Sequence, residues 1–342
     1  MKYCSKAPLR IGLAGGGTDL PEFIKIRGGR VLNVTISLFT YCTIEENDSG
    51  KIIFNSTDLN MFSETPFNKK LKPNIDFRIY NTIHNYFFNK FNPNREIKGY
   101  SLYTYSDVPK GSGLGGSSTL IVSIINCYAA FFNISLDNYE LAELAFYIER
   151  DVLKIIGGSQ DQYAAAFGGF NYIEFNKDQI IVNQLKLSSK TRSELQSTSV
   201  LYFTNIQREA SLIEKEKNNI IKKNNKSIES LEEMKEFSKL MKNALLMGDF
   251  KQVINILNLG WERKKSLSAA ISNNSIEKTI EKSFEFGALA SKLSGAGGGG
   301  FIYFIVNINR KKELIDFLNS NGGFVYNFDF YLKGSTNWKI KN

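Results

Sequence analysis

The sequence predicts an α+β protein of two domains. The chain has 342 residues, and a single hydrophobic core rarely grows beyond about 250–300 residues. Segments typical of strands alternate with segments typical of helices, and no tandem repeat is present. We place the boundary near residue 190, which gives an N-terminal domain of residues 1–190 and a C-terminal domain of residues 191–342.

The composition is that of an ordinary soluble protein, with 42% hydrophobic and 23% charged residues. The net charge of +9 arises from basic residues that alternate with acidic ones, and no nucleic-acid-binding motif is present. The charge suits an anionic substrate such as a nucleotide or a sugar phosphate, so we expect no nucleic-acid partner. The aromatic content of 13% would allow a homodimer, although the sequence indicates no interface.

Cysteines and apolar segments indicate the cellular location. Cys4, Cys42 and Cys127 form no C-x-x-C pair, a pattern typical of reduced thiols in a cytoplasm. The N-terminus lacks the apolar stretch of a signal peptide. The most apolar run, residues 120–132, is too short to span a bilayer and contains Asn126. We therefore expect a cytoplasmic protein without membrane contact, and a buried helix over this run.

Strands and helices alternate in the first half of the chain. Residues 31–36 and 100–105 are rich in β-forming side chains and predict strands. Asp137 and Glu140 have the spacing of a capping box, which predicts the start of a helix. A glycine pair follows this helix and ends it. Before the pair, apolar residues recur at helical spacing at Leu141, Ala145, Ile148, Val152 and Ile155.

In the second half, the sequence predicts a connector, two helices and two strands. An Asn- and Lys-rich stretch, residues 218–226, predicts the connector. Apolar spacing predicts a helix over residues 228–241 and another over residues 250–257, separated by a glycine. Strands are predicted over residues 300–306 and 325–331.

The single histidine, His84, narrows the possible chemistry. It lies in an aromatic segment, where a lone histidine is typical of packing rather than of catalysis. Histidine-based triads, HExxH zinc sites and phosphohistidine transfer are therefore disfavoured. We therefore expect any general acid or base to be an Asp, Glu, Lys or Tyr side chain.

The first of three glycine-rich segments covers residues 7–20, A-P-L-R-I-G-L-A-G-G-G-T-D-L. Arg10 lies in a strand-like start of the segment. A triple-glycine turn comes next and is followed by Thr18 and Asp19. Three consecutive glycines permit backbone conformations closed to other residues and let a ligand approach the main chain. A plain turn with an exposed Asp is the alternative interpretation.

The second segment, residues 109–119, reads P-K-G-S-G-L-G-G-S-S-T and leads directly into the predicted buried helix. Glycines before a helix expose N–H groups at its positive end, and such groups bind anions. The segment also satisfies G-x-G-x-x-G, so a dinucleotide-binding fold stays open, although the glycines do not follow a strand directly. No Lys follows Gly116, which excludes a Walker A motif, and no H-R-D or D-F-G segment of protein kinases is present.

The third segment, residues 292–301, reads K-L-S-G-A-G-G-G-G-F and contains five glycines. Ordering so many glycines costs considerable backbone entropy. We therefore expect a tight loop that presses against another backbone or against a phosphate, rather than a generic turn.

In this order and spacing, the three segments resemble the GHMP kinase superfamily of galactokinase, homoserine kinase, mevalonate kinase and phosphomevalonate kinase. The resemblance extends from about residue 7 to the C-terminus. It implies an α+β fold with an N-terminal domain like domain 2 of ribosomal protein S5, a ferredoxin-like C-terminal domain, and nucleotide and substrate between them. It also implies that the second segment binds the phosphates of ATP, through Lys110, Gly111, Ser112, Gly113, Leu114, Gly115, Gly116, Ser117 and Ser118.

The resemblance further implies the catalytic residues. In residues 157–162, G-G-S-Q-D-Q, Asp161 matches the catalytic Asp of galactokinase-like members and would orient or deprotonate the attacked hydroxyl. Arg10 matches the Arg that these enzymes place beside that Asp. A fixed cation there would keep the acid ionised and neutralise charge on the transferring phosphoryl group.

A magnesium site follows from the same comparison. Glu149 matches the helix Glu that holds Mg²⁺ in galactokinase-like members. Ser117 matches the magnesium-binding Ser of the G-L-G-S-S pattern, in which Gly116 here replaces the first Ser. This departure leaves Ser118 as the alternative ligand, and we expect ATP and Mg²⁺ as the cofactors.

The substrate is indicated by residues 15–19, G-G-G-T-D, where galactokinases have G-E-H-T-D. Asp19 matches the Asp that accepts hydrogen bonds from ring hydroxyls, and the missing Glu and His leave room for a longer sugar that bears a phosphate. This form resembles the D-glycero-D-manno-heptose 7-phosphate kinase branch of the superfamily, which implies phosphorylation of the anomeric hydroxyl to the 1,7-bisphosphate. The expected substrate-binding residues are Gly16, Gly17, Thr18, Asp19, Gly297 and Gly298. Three cations that follow are candidates for the sugar's own phosphate: Lys25, Arg27 and Arg30.

Three alternatives stay open. A fucokinase- or galactokinase-like enzyme for an unphosphorylated sugar shares the fold and much of the first segment. A mevalonate-type kinase is disfavoured, because Asp19 and the triple-glycine turn suit ligands rich in hydroxyls. A non-catalytic sugar-phosphate or dinucleotide-binding protein would leave the joint presence of Ser117, Glu149 and Asp161 without a purpose.

Overall fold

The structure is a computed structural model that describes residues 1–91, 96–206 and 225–341. Within these ranges the strands form two sheets. The first sheet contains β1 (Lys2–Ala14), β2 (Gly29–Glu46), β3 (Lys51–Ser56), β4 (Met61–Pro66), β5 (Tyr100–Ser106), β6 (Phe170–Phe175) and β7 (Ile180–Gln184). The second sheet contains β8 (Ser199–Phe203), β9 (Ala288–Leu293), β10 (Phe301–Val306) and β11 (Phe324–Tyr326), after which β12 (Thr336–Ile340) returns to the first sheet.

Helices cover both sheets. Those in the first half are α1 (Pro21–Arg27), α2 (Arg78–Lys90), α3 (Gly116–Phe132), α4 (Asn138–Phe146) and α5 (Gln160–Phe167). Those that follow are α6 (Ser189–Thr198), α7 (Asn225–Met247), α8 (Phe250–Lys265), α9 (Asn274–Glu285) and α10 (Lys311–Ser320). None of the helices in the described ranges is long and apolar enough to cross a bilayer.

The first sheet presents Arg10 to the site. Its strands lie in the order β12-β1-β2-β5-β3-β4, with β6 paired to β2 and to β7. β2 is rich in β-branched and aromatic residues, which favour a long strand. The register of β1 on β2 shifts between Pro8 and Arg10. Such irregularities bend a strand and change the direction of a side chain, and here one lies directly before Arg10.

Helix α3 is the buried helix that the sequence predicted. It is apolar on nearly all sides, and its residues from Ser118 to Phe131 are almost all buried. A helix that is apolar all round belongs inside a protein, and α3 packs against β1 and β2. This packing fixes the N-terminus of α3, and the glycine-rich loop before it, relative to β1.

The helix predicted after the capping box is shorter than its apolar spacing indicates. The capping box of Asp137 and Glu140 is present and starts α4. After Phe146, however, the chain forms a π-helical turn over Tyr147–Val152. A π-turn adds about one residue to a helical turn and changes the face that each later residue occupies. Val152, which the 3.6-residue spacing places inside, is therefore 45% exposed.

The second sheet has the strand order β11-β8-β10-β9, and β10 is buried along its whole length. The predicted strand over residues 300–306 is present as β10. The predicted strand over residues 325–331 is wrong beyond Tyr326, because β11 ends there and Phe330 forms only an isolated bridge with Ile36.

The two halves of the chain share structure. β12 pairs with β1 in the first sheet, and one buried cluster combines Leu9 and Val34 with Leu201 and Phe301. The boundary near residue 190 stays a prediction. Of the predicted connector, residues 218–224 lie outside the described residues, and α7 begins at Asn225.

Candidate active site

Arg10 and Asp161 form an ion pair at the centre of the site. Arg10 Nε donates to Asp161 Oδ1 at 2.7 Å, and Arg10 Nη2 lies 2.6 Å from the same oxygen. Arg10 Nη1 donates to the Gly113 carbonyl at 2.7 Å. The Arg10 side chain is only 6% exposed, whereas that of Asp161 is 20% exposed. The buried guanidinium therefore fixes both the carboxylate and the glycine-rich loop, while the carboxylate keeps access to a ligand.

Gln160 links Asp19 to Asp161, because it donates hydrogen bonds to Asp19 and directly precedes Asp161 in the chain. The backbone N–H and the Nε2 of Gln160 donate to Asp19 Oδ2 at 3.2 and 3.1 Å. Gly17 N–H donates to Asp19 Oδ1 at 3.0 Å. Because Gln160 immediately precedes Asp161, the sugar-binding candidate and the catalytic candidate lie side by side.

Glu149 is buried next to the N-terminal turn of α3. Its Oε2 accepts from Gln162 Nε2 at 2.5 Å, Ser118 donates a further hydrogen bond, and Arg150 Nη1 lies 3.3 Å from Oε1. Burial raises the pKa of Glu149, while the charge of Arg150 and the hydrogen bonds from Ser118 and Gln162 lower it. The π-turn places this carboxylate inside the protein.

The glycine-rich loop before α3 has the form of an anion site. Gly111, Gly113 and Gly115 have φ angles of 79°, 80° and 80°, a region that favours glycine. Within the described part of the chain, no side chain caps the start of α3. The N–H groups at its positive end therefore face no capping oxygen and suit a phosphate. Lys110 and Gly111 are exposed at the start of this loop.

Ser117 and Ser118 differ in what they contact. The Ser118 hydroxyl is buried and is engaged by Glu149 and by Gln162 Nε2, the latter at 3.3 Å. Ser117 is exposed, and its hydroxyl makes no hydrogen bond to the described residues. The structure thus brings Ser118 into contact with Glu149 and leaves the Ser117 hydroxyl available to a ligand.

The third glycine-rich segment packs on the second, as its composition predicts. Phe301 N–H donates to the Ser112 carbonyl at 3.0 Å. A Cβ atom on Gly300 would lie 2.3 Å from the same carbonyl oxygen. Leu114, between these contacts and α3, is fully buried. The third segment therefore supports the glycine-rich loop before α3, residues 109–115, which we call the phosphate loop after the role that the resemblance implies.

Gly297 and Gly298 were expected to bind substrate, and their packing favours another role. Gly298 N–H donates to the Ile271 carbonyl at 2.7 Å, and a Cβ atom on Gly297 would lie 2.7 Å from the same oxygen. The Gly298 N–H is thus already used. Close packing against the short 3₁₀ turn Ala269–Ile271 explains both glycines.

The residues of the triple-glycine turn have separate roles. Gly16 has no atom within 4 Å of an added Cβ, so open space lies beside it. The Thr18 hydroxyl donates to the carbonyls of Gly15 and Arg30, both at 2.8 Å, and accepts from Arg30 N–H. Thr18 therefore holds the turn in shape rather than reaching toward a ligand.

Two of the three cations proposed for the sugar's own phosphate, Arg27 and Arg30, have protein partners, and Lys25 stays a prediction. Arg30 lies 3.4 Å from Glu174 and 3.3 Å from Glu236. Arg27 pairs with Glu232 at 3.8 Å. These carboxylates would repel a phosphate, so the structure argues against Arg27 and Arg30 in this role.

Two buried lysines near the site escaped the sequence analysis. Lys264, at the end of α8, donates to the carbonyls of Leu293 and Gly295 at 2.9 and 2.6 Å and so holds the third segment. Lys292 contacts the Leu13 carbonyl at 3.4 Å, and burial together with the charge of Arg10 lowers its pKa from 10.5 to about 8. Lysines are common on surfaces, so their spacing in the sequence carried no signal.

His84 has a structural role, as predicted. Its Nε2 lies 2.9 Å from the Asn68 carbonyl and must carry the proton, and its Nδ1 accepts from the Tyr100 hydroxyl at 2.6 Å. The ring is fully buried and stacks on Phe88 at a centroid distance of 4.3 Å.

Two family models match the chain. The model of the GHMP kinases N terminal domain matches residues 78–169, which include the phosphate loop, Glu149 and Asp161. The model of the GHMP kinases C terminal domain matches residues 229–323, which include the third glycine-rich segment.

Similar proteins include several sugar kinases. A D-glycero-alpha-D-manno-heptose 7-phosphate kinase of Campylobacter jejuni is 43% identical over 337 residues, which cover 98% of each chain. The crystal structure of a D-glycero-D-manno-heptose 1-phosphate kinase from Bacteroides thetaiotaomicron superposes with a TM-score of 0.83 and 38% identity, covering 99% of this chain and all of the other. A bifunctional fucokinase/GDP-fucose pyrophosphorylase of Arabidopsis thaliana is 27% identical over 94% of this chain and 32% of its own length.

Proposed function

Because this chain belongs to the GHMP kinase family, we propose that it transfers the γ-phosphoryl group of ATP to the anomeric hydroxyl of D-glycero-D-manno-heptose 7-phosphate, giving the 1,7-bisphosphate. The observation that carries the proposal is the contact of Asp19 with Gln160 beside the Arg10–Asp161 pair. This contact places Asp19, the candidate acceptor of hydrogen bonds from the sugar hydroxyls, beside Asp161, the candidate base for the reacting hydroxyl. The 43% identity to the Campylobacter jejuni enzyme supports the choice of sugar.

Asp161 and Arg10 serve the reacting atoms. The anomeric oxygen attacks the γ-phosphorus, the bond from that phosphorus to the β–γ bridging oxygen breaks, and the hydroxyl proton passes to Asp161. Arg10 holds the Asp161 carboxylate in place through two contacts to Oδ1. Its charge also offsets the negative charge of the phosphoryl group during transfer. An anomeric hydroxyl is more acidic than an ordinary alcohol, so a carboxylate suffices as the base.

Asp19 binds the sugar ring. The N–H groups of Gly17 and Gln160 and the Gln160 side chain donate to its carboxylate and fix its orientation. The open space beside Gly16 would leave room for the extended end of a heptose phosphate.

The residues beside the phosphate loop fit a magnesium ion that arrives with ATP. Mg²⁺ prefers oxygen ligands and is commonly held by one or two carboxylates together with phosphate oxygens. Glu149 and the free Ser117 hydroxyl supply protein oxygens, and Gln162 Oε1 is a buried acceptor without a donor in the described residues. When bound, the ion would neutralise the phosphates of ATP. No group of three or more His, Cys, Asp or Glu side chains that could hold a metal ion occurs in the described ranges.

Release of ADP from ATP with a panel of sugars tests the proposed function. Heptose 7-phosphate, heptose 1-phosphate, fucose, galactose and mannose are compared, with Mg²⁺ omitted as a control. We expect Mg²⁺-dependent ADP release with heptose 7-phosphate alone, and a product that carries phosphates at positions 1 and 7. Preferential turnover of fucose or galactose would establish the alternative of an unphosphorylated-sugar kinase, to which the Arabidopsis relative belongs by name.

The absence of ADP release with every sugar would support a non-catalytic sugar-phosphate-binding protein instead. The three cysteines are buried free thiols, which supports a cytoplasmic location for the reaction.

A further inference from the structure

Arg150 lies between the magnesium-binding candidate and the sugar-binding candidate, and the reaction described above assigns it no role. We propose that Arg150 is a positioning residue that fixes the loop of residues 155–158 against Asp19, and through it the sugar. The identity of the sugar rests on the proposed function, but the contact between Arg150 and the loop does not.

The guanidinium of Arg150 holds both ends of this loop. Its Nη1 donates to the Ile155 carbonyl at 3.0 Å, and its Nη2 donates to the Gly158 carbonyl at 2.8 Å. The side chain is only 10% exposed. Hydrogen bonds from a charged donor are stronger than neutral ones. The planar fork of Arg150 reaches the two carbonyls with two separate nitrogens, a geometry that Lys, with all its donors on one nitrogen, does not reproduce.

The loop is tightly held between Arg150 and Asp19. A Cβ atom on Gly157 would lie 2.7 Å from Arg150 Nη2, and one on Gly158 would lie 1.9 Å from Asp19 Oδ2. Ser159 N–H then donates to the Asp19 carbonyl at 3.1 Å. A displacement of the loop would therefore move the Asp19 carboxylate and the start of α5, which carries Asp161.

The backbone before the loop is strained, which explains why the loop needs to be held. Lys154 has a φ angle of 55°, a left-handed conformation that is unfavourable for a non-glycine residue. Such strain persists where surrounding contacts enforce it. The two hydrogen bonds of Arg150 start directly after this residue, at Ile155.

Kinetics of Arg150→Gln and Arg150→Lys test the role of this residue. For Arg150→Gln we expect the KM for the sugar phosphate to rise about tenfold or more, because small displacements of positioning groups are costly. Arg150 also lies 3.3 Å from Glu149 Oε1, so Arg150→Gln, which removes the charge beside the magnesium candidate, should raise the KM for ATP as well. Arg150→Lys keeps the charge but not the fork, so its KM for the sugar phosphate should rise, by less than in Arg150→Gln, while its KM for ATP should stay within about twofold.

Two further variants complete the design. Arg310→Gln is the matched control, because Arg310 also donates to a backbone carbonyl, that of Glu285 at 2.8 Å, and pairs with a carboxylate, Glu313. It lies in the second half of the chain and should leave both KM values unchanged. Gly158→Ala pushes on Asp19 from the loop itself and should raise the KM for the sugar phosphate, as Arg150→Gln does.

Hydrogen exchange of the unliganded protein separates the inference from the proposed function. In Arg150→Lys, amides of residues 155–160 should exchange faster than in the wild type, while the rest of the protein is unchanged. An unchanged exchange rate in this segment would overturn the inference even if the enzyme phosphorylates the heptose. Equal increases of both KM values in Arg150→Lys would overturn it as well, since they would indicate a general loss of structure.

If Arg150→Gln does not fold, Arg150→Lys carries the same comparisons. If the wild type phosphorylates no sugar in the panel, the proposed function fails, and the exchange experiment still decides whether Arg150 holds the loop.

Discussion

Gly295 touches Gly113 so closely that a Cβ atom on Gly295 would lie 2.6 Å from the Gly113 Cα. Gly113 in turn gives its carbonyl to Arg10. The third glycine-rich segment, the phosphate loop and Arg10 thus form a continuous series of contacts.

Gly295→Ala should weaken ATP binding, because the added methyl group would displace the phosphate loop. Gly295 also has a φ angle of 66°, which an alanine adopts only with strain. We expect the KM for ATP to rise about tenfold or more, with a smaller change in the KM for the sugar. Steady-state kinetics with each substrate varied in turn will measure this.

Gly50→Ala is the matched control for this change. Gly50 has a similar φ angle of 68°, but an added Cβ would have no neighbour within 4 Å. It should lose a similar amount of backbone stability and keep its KM for ATP. A similar KM increase in both variants would show that strain, rather than contact with Gly113, is responsible.

Asp161→Asn should abolish most turnover while leaving ATP binding intact. The amide keeps the shape of the side chain but cannot accept the hydroxyl proton, and loss of such a group typically costs about 10²–10⁴-fold in rate. Single-turnover kinetics and nucleotide titration by fluorescence measure the two properties separately. Asp249→Asn is the control, since Asp249 caps α8 and Asn is an equally good cap. Turnover of Asp161→Asn near that of the wild type would refute the catalytic assignment.

Much of this site could be predicted from the sequence, because its parts are local. The α+β GHMP kinase fold is confirmed, and the structure brings Arg10, Asp19 and Asp161 together as the resemblance implied. Their neighbours along the chain, glycines above all, carried the signal. Lys264 and Lys292 act through contacts distant in sequence, and no local pattern identifies such lysines.

Lys292→Met should change how stability depends on pH. The pKa of Lys292 falls from 10.5 to about 8 in the folded protein. Between pH 8 and 10.5, Lys292 is therefore protonated in the unfolded chain and largely deprotonated in the folded protein. The contribution of Lys292 to stability therefore rises with pH from about 8 to 10.5, and its full cost is present below pH 8. The free energy of unfolding of the wild type should gain about 3 kcal/mol relative to Lys292→Met across this range. Urea unfolding at a series of pH values measures the difference, and parallel curves would contradict the prediction.

His84 should make the protein sensitive to acid. Burial lowers its pKa from 6.5 to about 4. The unfolded chain therefore binds a proton that the folded protein excludes, and stability is lost as the pH falls from 6.5 to 4. The decrease attributable to His84 is about 3 kcal/mol. His84→Gln removes the titrating ring, so its free energy of unfolding should fall less over this interval in urea titrations. An equally steep fall in both proteins would assign the acid sensitivity to other groups.

The π-turn shows where periodicity misleads. The sequence spacing from Leu141 onward fits an ordinary helix, and nothing in it marks the wider turn at Tyr147–Val152. The turn directs Glu149 inward beside Ser118. Irregular turns of this kind concentrate at functional sites. A position where helical spacing and burial disagree is therefore a useful signal once a structure is available.

The pairing of β12 with β1 has a consequence for the order in which this protein folds. Lys2–Lys6 lie beside Thr336–Ile340, so the strand that carries Arg10 completes its pairing with a segment that is very distant in the sequence and is synthesised much later. Contacts between such distant segments close a long loop and form slowly. Until then, the free edge of β1 can pair with other chains. The nascent kinase is thus exposed to misassociation at the same strand that later carries Arg10 into the candidate site.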